Sequence, residues 1–333
     1  NQFGETVRLG ILGLGCRGYS QLKVLLDMPD VEITAVSDVY ADRVERAQKA
    51  VADARGKTPF GTTNPDECIN RSDVDAVIVM TGWETHISLT IQAIRAGKRA
   101  AMEVGGGTSI DECWQLVHAS EETGVPVMLL ENCCYGETEL TLLNMIHQNV
   151  FGTVVHCAGA YSHDLRDEVG NGDINRHYRQ NHFLHRNGEL YPTHELGPIA
   201  NYLNVNRGNR MIALTSMSSK ACGLHEWLVE HRPDSPLANA QVNEGDVVTT
   251  MIKCANGETI VLTHDCTLPR PYSRGGVVRG TKGMWMEDGR SIYLEGRTPV
   301  DEHDWTHRAE SDQKYMDEYR HPLWREYREF GVR

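Results

Sequence analysis

The sequence predicts an α/β chain in which a doubly wound parallel sheet is followed by an α+β unit with a largely antiparallel sheet. Up to Val150, apolar β-rich runs alternate with helix-periodic ones, the pattern of parallel strands joined by helical crossovers. After Phe151-Gly152 strand-like runs dominate, and two pairs of them are joined by Asn256-Gly257 and Asp288-Gly289, dipeptides suited to tight hairpins.

The elements follow in order. VRLGILGL (7–14) reads as a strand, a helix runs from about Gly18 to Met28, and VEITAVSD (31–38) is the second strand. The charged stretch ADRVERAQKAVADARG is helical. DAVIVMTG (75–82), RAAMEV (99–104) and VPVMLLEN (125–132) are further strands, the last leading into the helical run ETELTLLNMIHQNV. The boundary expected from this pattern separates a nucleotide-type domain (1–132) from a second domain (133–333). In the latter, TVVHCAGAYSH, RMIALTSMSS, DVVTTMIKC, ETIVLTHDC and GMWMEDGRSIYLEG read as strands. The polar stretch Asp164–Glu189, long for a connection and rich in His, Tyr and Arg, is expected to be a substrate-facing loop.

Composition narrows the function. With 33 Lys and Arg against 46 Asp and Glu, the net charge of −13 lacks the basic footprint of a nucleic-acid binder. No apolar run is long enough for a membrane helix. A small-molecule or glycan substrate is expected. Nine scattered cysteines, mostly in apolar runs, point to reduced thiols in a cytoplasmic setting, with export after removal of a leader as the alternative because the sequence starts at Asn1. No ligand spacing suggests a metal site.

Gly13-Leu14-Gly15-Cys16-Arg17-Gly18 is G-x-G-x-x-G between the first strand and first helix. Its glycines permit a tight turn and close approach to a pyrophosphate, which the helix N-terminus would receive. Asp38 ends the second strand about 20 residues later, where a carboxylate meets ribose hydroxyls, so this Rossmann pattern predicts NAD rather than NADP. Arg43 lies close by. Glu131 and Asn132 end a parallel strand, at the edge where such sheets bind ligands.

The glycine loop, Asp38, Thr81-Gly82-Trp83-Glu84-Thr85-His86 and the strand ending in Glu103 together resemble the Gfo/Idh/MocA oxidoreductase superfamily. That resemblance adds Thr81, Trp83, His86 and Glu103 to the expected cofactor rim. Members usually end this strand in Glu-Lys-Pro, and the lysine assists catalysis in the dehydrogenases; here Glu103-Val104-Gly105 lacks it. A longer set of motifs, including Leu130-Glu131-Asn132, Tyr161 with His163-Asp164-Leu165-Arg166, Tyr178-Arg179, Arg186-Asn187-Gly188, Tyr191-Pro192-Thr193-His194 and Pro271-Tyr272-Ser273, resembles glycoside hydrolase family 109. That family contains NAD-dependent α-N-acetylgalactosaminidases.

The resemblance implies hydrolysis of a terminal N-acetylhexosaminide, best matched by α-N-acetylgalactosamine. The sugar is oxidised at C3, eliminated across C1 and C2, hydrated and re-reduced, with NAD recycled. NAD-dependent hydrolases of this kind need no carboxylate pair. Expected catalytic groups are Tyr161, His194, Tyr191 and Tyr272. Glu131, Arg179, Tyr178, Asn187 and Glu195 are expected to meet the sugar. His194 opens the helix-like run THELGPIANYLNV, where the positive end of the helix dipole favours the neutral imidazole a base needs.

Departures are Glu195, where relatives commonly have Gly, and Tyr178, where they have Trp. The chain also stops soon after His321-Pro322-Leu323-Trp324, so a shortened C-terminus is expected. The rival functions are an NAD-dependent sugar or cyclitol dehydrogenase and a non-catalytic sugar-binding relative. A homo-oligomer is expected, since antiparallel sheets of this superfamily often pair across subunits.

Overall fold

The computed structural model describes residues 6–299 and 309–331. Two compact units separate between Leu130 and Glu131. In the first, strands β1 (Val7–Leu12), β2 (Val31–Ser37), β3 (Phe60–Thr62), β4 (Ala76–Val79), β5 (Arg99–Met102) and β6 (Val127–Leu129) form a wholly parallel sheet of order β3-β2-β1-β4-β5-β6. Both faces are covered. Leu9, Ile11 and Ile33 pack against Leu22, Val44 and Val51 on one side, while Leu12, Ala35, Val77 and Val79 meet Ile87, Ile94 and Ala119 on the other. Burial on both faces is why these strands read as near-continuous apolar runs.

The order reverses between β1 and β4, which puts the glycine loop and Thr81 at the carboxyl edge of the switch point. Strand β3 spans three residues and is too short to show a period of two in the sequence. Gly61 lets it sit against Gln48, whose amide a Cβ at that position would meet at 2.5 Å.

The second unit carries β7 (Val154–Ser162), β8 (Met211–Ser218), β9 (Val247–Cys254), β10 (Thr259–Asp265), β11 (Val277–Gly280), β12 (Gly283–Met286), β13 (Ser291–Leu294) and β14 (Glu310–Ser311). Their order is β14-β13-β12-β11-β7-β10-β9-β8, and each pairing is antiparallel except β7 with β10. Helices Glu137–His147 and Thr193–Tyr202 cover one face, joining Leu142, Met145, Ile199 and Tyr202 to Ile252, Ile260, Leu262 and Trp285 in one core. The opposite face is open at β8 and β9, where Met217 and Met251 are exposed.

The stretch from Asp164 to Glu189 is not the plain loop expected. It winds into three short helices, Arg166–Gly170, Gly172–Asn175 and Arg179–His185. Asp164 accepts the Arg166 N–H at the start, Phe183 is buried, and Gly170 lets Trp227 pack where a Cβ would lie 2.3 Å from its ring. Each helix spans one or two turns, too short for helical periodicity to register.

Candidate functional site

In the N-terminal unit, the cofactor residues gather around the end of β1. Gly13 has φ +90°, and a Cβ there would lie 2.4 Å from the Met80 backbone; at Gly18 it would lie 2.0 Å from the Gly13 carbonyl oxygen. These two glycines are therefore fixed by packing as well as by the turn. Helix Cys16–Leu26 begins without a side-chain cap and with no acid in its first turn, which leaves its N-terminus suited to an anion. Leu14 is fully buried, whereas Cys16 is exposed.

Asp38 is buried and accepts N–H groups from Leu14 (2.7 Å) and Tyr40 (3.0 Å), so the carboxylate also braces the glycine loop. Arg43 stands 3.7 Å from it and lies over the Tyr40 ring. Arg17 reaches Glu103 at 3.4 Å. The Trp83 indole is buried and lies on Gly105, where a Cβ would come within 2.1 Å of the ring. His86 is buried as well, with Nε2 3.0 Å from the Thr81 carbonyl oxygen, and burial lowers its pKa; it supports the Thr81 turn from within. A backbone cradle, an uncapped helix start and a carboxylate at the second strand fit an adenine dinucleotide.

In the second unit, Glu131, Tyr161, Arg179, Tyr191 and His194 come together. His194 Nδ1 is 2.7 Å from Glu131 Oε1, which also accepts the Cys133 N–H at 2.9 Å. Burial pushes the Glu131 carboxyl up, but the His194 hydrogen bond and charge and the Cys133 N–H outweigh it and hold it below its usual value. Nδ1 faces this carboxylate, which leaves Nε2 as the ring nitrogen positioned to exchange a proton.

Tyr161, near the end of β7, packs on Tyr191 with ring centroids 4.4 Å apart, and His194 lies 5.7 Å from the first ring and 4.8 Å from the second. Arg179 donates to Tyr161 Oη at 3.3 Å and lies over both tyrosine rings. Burial raises the Tyr161 pKa while the guanidinium opposes it. His163 stands 3.4 Å from the same hydroxyl and edge-on to Tyr272, which is half exposed.

Tyr178 stays with this cluster, stacked on His177 and against the Arg179 guanidinium. Two other expected sugar contacts are placed otherwise. Asn187 Oδ1 accepts from Ser218 Oγ and from the Gly245 N–H, tying backbone segments together. Glu195 is turned away from His194, because adjacent helical residues do not share a face. It is buried against Gly159, where a Cβ would lie 2.5 Å from its own, and 3.8 Å from Arg274. Asn132 is exposed at the start of a short 3-10 turn.

Arg274 was not foreseen. It pairs with Glu139 at 2.5 Å and lies 3.8 Å from both Glu195 and Glu287, gathering three carboxylates from distant parts of the chain. Its only sequence signal was adjacency to Pro271-Tyr272-Ser273. Burial, despite Arg274 and with help from Glu287 and Glu139, pushes the Glu195 carboxyl up to about 10, so it is a neutral acid.

Among the described residues, one group has metal-ligating geometry: Glu131, Cys133 and His194 lie within 4.8 Å of one another. Burial pushes the Cys133 thiol up to about 12, and the Glu131–His194 hydrogen bond already occupies both partners, so the set does not suit a cation.

The parallel sheet with its glycine cradle and the antiparallel unit with its tyrosine–histidine cluster define an NAD-binding protein of the Gfo/Idh/MocA type. Residues 7–130 match the oxidoreductase family with an NAD-binding Rossmann fold, and residues 135–332 match the C-terminal domain of glycosyl hydrolase 109. The chain belongs to glycosyl hydrolase family 109 and is an NAD-dependent glycosidase.

A family 109 protein of Stenotrophomonas maltophilia is 40% identical over 97% of this chain and 75% of its own length. An α-N-acetylgalactosaminidase of Tannerella forsythia is 36% identical over 96% and 72% respectively. The fold is shared with scyllo-inositol dehydrogenase of Lactobacillus casei, solved with NAD(H) and scyllo-inositol. That match has a TM-score of 0.68 at 15% identity and covers 98% of this chain and 90% of the other.

Proposed function

We propose that this enzyme cleaves terminal α-N-acetylgalactosaminides, with the unit that ends at Leu130 holding NAD and the unit that begins at Glu131 holding the sugar. The substrate class follows the name of the Tannerella forsythia relative. The observation that carries the reading is the Glu131–His194 pair beside Tyr161 and Tyr191. It supplies proton-transfer groups rather than a nucleophile and acid pair, since Glu131 is committed to an imidazole and Glu195 is a buried neutral acid.

NAD supplies reversible oxidation of the sugar at C3, which acidifies the neighbouring C2–H. His194 Nε2, held as the acceptor by Glu131, is the base we assign to that proton or to the C3 hydroxyl. Tyr161, with its hydroxyl bonded by Arg179, protonates the departing glycosidic oxygen and later deprotonates water. Tyr191 orients both rings, and Tyr272 sits at the exposed rim. A homo-oligomer is supported by the apolar residues Met217 and Met251 on the open sheet face.

No helix among the described residues is long and apolar enough to cross a membrane, and the nine free cysteines support a cytoplasmic setting. Turnover of an aryl α-N-acetylgalactosaminide in heavy water tests the reading. Deuterium at C2 of the released sugar, with no net NADH, is the expected result. Cleavage without label at C2, and without a rate response to deuterium at C2 or C3, overturns it.

A further inference from the structure

His264 extends the inward row of β10 after Ile260 and Leu262, and it pairs in register with Tyr161 of β7. The two rings are stacked at 6.4 Å. His264 Nδ1 lies 3.2 Å from Glu244 Oε1, with the imidazole almost wholly and the carboxylate wholly shut off from solvent. Glu244 Oε2 accepts the Gly188 N–H at 3.0 Å, and its own N–H donates to the Phe183 carbonyl at 3.0 Å. Next along the chain, Glu189 accepts the Tyr191 N–H at 3.3 Å.

Burial opposes a charged imidazole here, but the Cys266 sulfur, Glu244 and Glu189 outweigh it and hold the His264 pKa at about 10. A buried ion pair contributes little net stability compared with well-packed apolar residues, yet losing one partner strands a charge. Its value lies in fixing one arrangement. What it fixes is the segment from Phe183 to Tyr191, directly before the helix that begins at Thr193 and carries His194.

We propose that His264, through its pairing with Glu244, is a positioning residue that pins the Gly188 turn and so sets the place of Tyr191 and His194 for proton transfer. This rests on the assignment of those two residues to the sugar site. Neither His264 nor Glu244 needs to touch the substrate.

The test uses the full chain with NAD bound, comparing His264→Gln, Glu244→Gln and the double variant. Amide hydrogen exchange at Gly188 and Tyr191 is measured beside kcat and KM on the aryl α-N-acetylgalactosaminide. Each single variant is expected to lose protection at both amides and to drop kcat by at least about tenfold at unchanged NAD affinity. The double variant, whose paired amides carry no stranded charge, is expected to regain protection and to return kcat to within about threefold of the original.

Unchanged exchange in both single variants overturns the proposal. So does a double variant that regains protection without activity, or one that fails to fold. If the parent enzyme turns over no glycoside, the glycosidase reading falls while the exchange arm still decides the role of His264.

Discussion

Replacing Glu195 by Gln keeps the shape of a buried side chain and removes its proton. In the folded protein the Glu195 carboxyl stays neutral up to about 10, whereas its ordinary value is 4.5. The native state therefore holds a proton that the unfolded chain releases. The associated stability is full below about 4.5 and is lost as pH rises toward 10, at about 1.4 kcal/mol per pH unit. At pH 7 the penalty is about 3.5 kcal/mol, from two and a half units at about 1.4 kcal/mol each.

The amide carries no such linkage. Glu195→Gln should match the parent within about 1 kcal/mol at pH 5 and exceed its stability by about 3.5 kcal/mol at pH 7 and about 6 kcal/mol at pH 9. Urea unfolding followed by circular dichroism at these three pH values gives the difference directly. A difference that does not grow with pH, or a variant less stable than the parent at pH 9, refutes the account of Glu195 as a neutral acid.

Tyr161→Phe and His194→Ala should each lower kcat by at least about 100-fold while calorimetric NAD affinity is kept; near-normal turnover in either removes that residue from the chemistry. Glu131→Gln, which no longer fixes the His194 tautomer, should lose at least about tenfold in kcat, and an unchanged pH–rate profile would count against the pairing. Asp38→Ala should weaken NAD by at least about tenfold and NADP by less, as read by calorimetry; equal losses would show that the carboxylate acts only through the glycine loop it braces.

The cofactor cradle was legible because it is local: three glycines and one acid lie within 26 residues, Gly13 through Asp38, and each answers to a backbone or ribose requirement. Tyr161, Tyr191 and His194 were reached through family motifs, and the structure brings them into one cluster. Glu195 shows the limit of adjacency, since a neighbour of His194 in sequence points a third of a turn away on the helix. Asn187 belonged to a motif yet serves the backbone of Gly245.

Arg274 with Glu139 and Glu287, and His264 with Glu244, were not read at all. Their partners lie on other elements, and a single sequence does not reveal which distant charges meet. His264 did leave a trace, as an imidazole in the alternation Ile260, Leu262, His264, where an apolar residue would be the ordinary choice.

The one parallel pairing in the second sheet has a kinetic consequence. Tyr161 on β7 acquires its neighbour His264 only after the intervening hundred or so residues have been made and β10 has docked. During synthesis the nucleotide-binding sheet, all of whose strands end by Leu129, is complete long before that neighbour emerges. A nascent chain should thus take up NAD before it has a finished catalytic centre, and conditions that slow β10 docking should yield cofactor-loaded but inactive molecules.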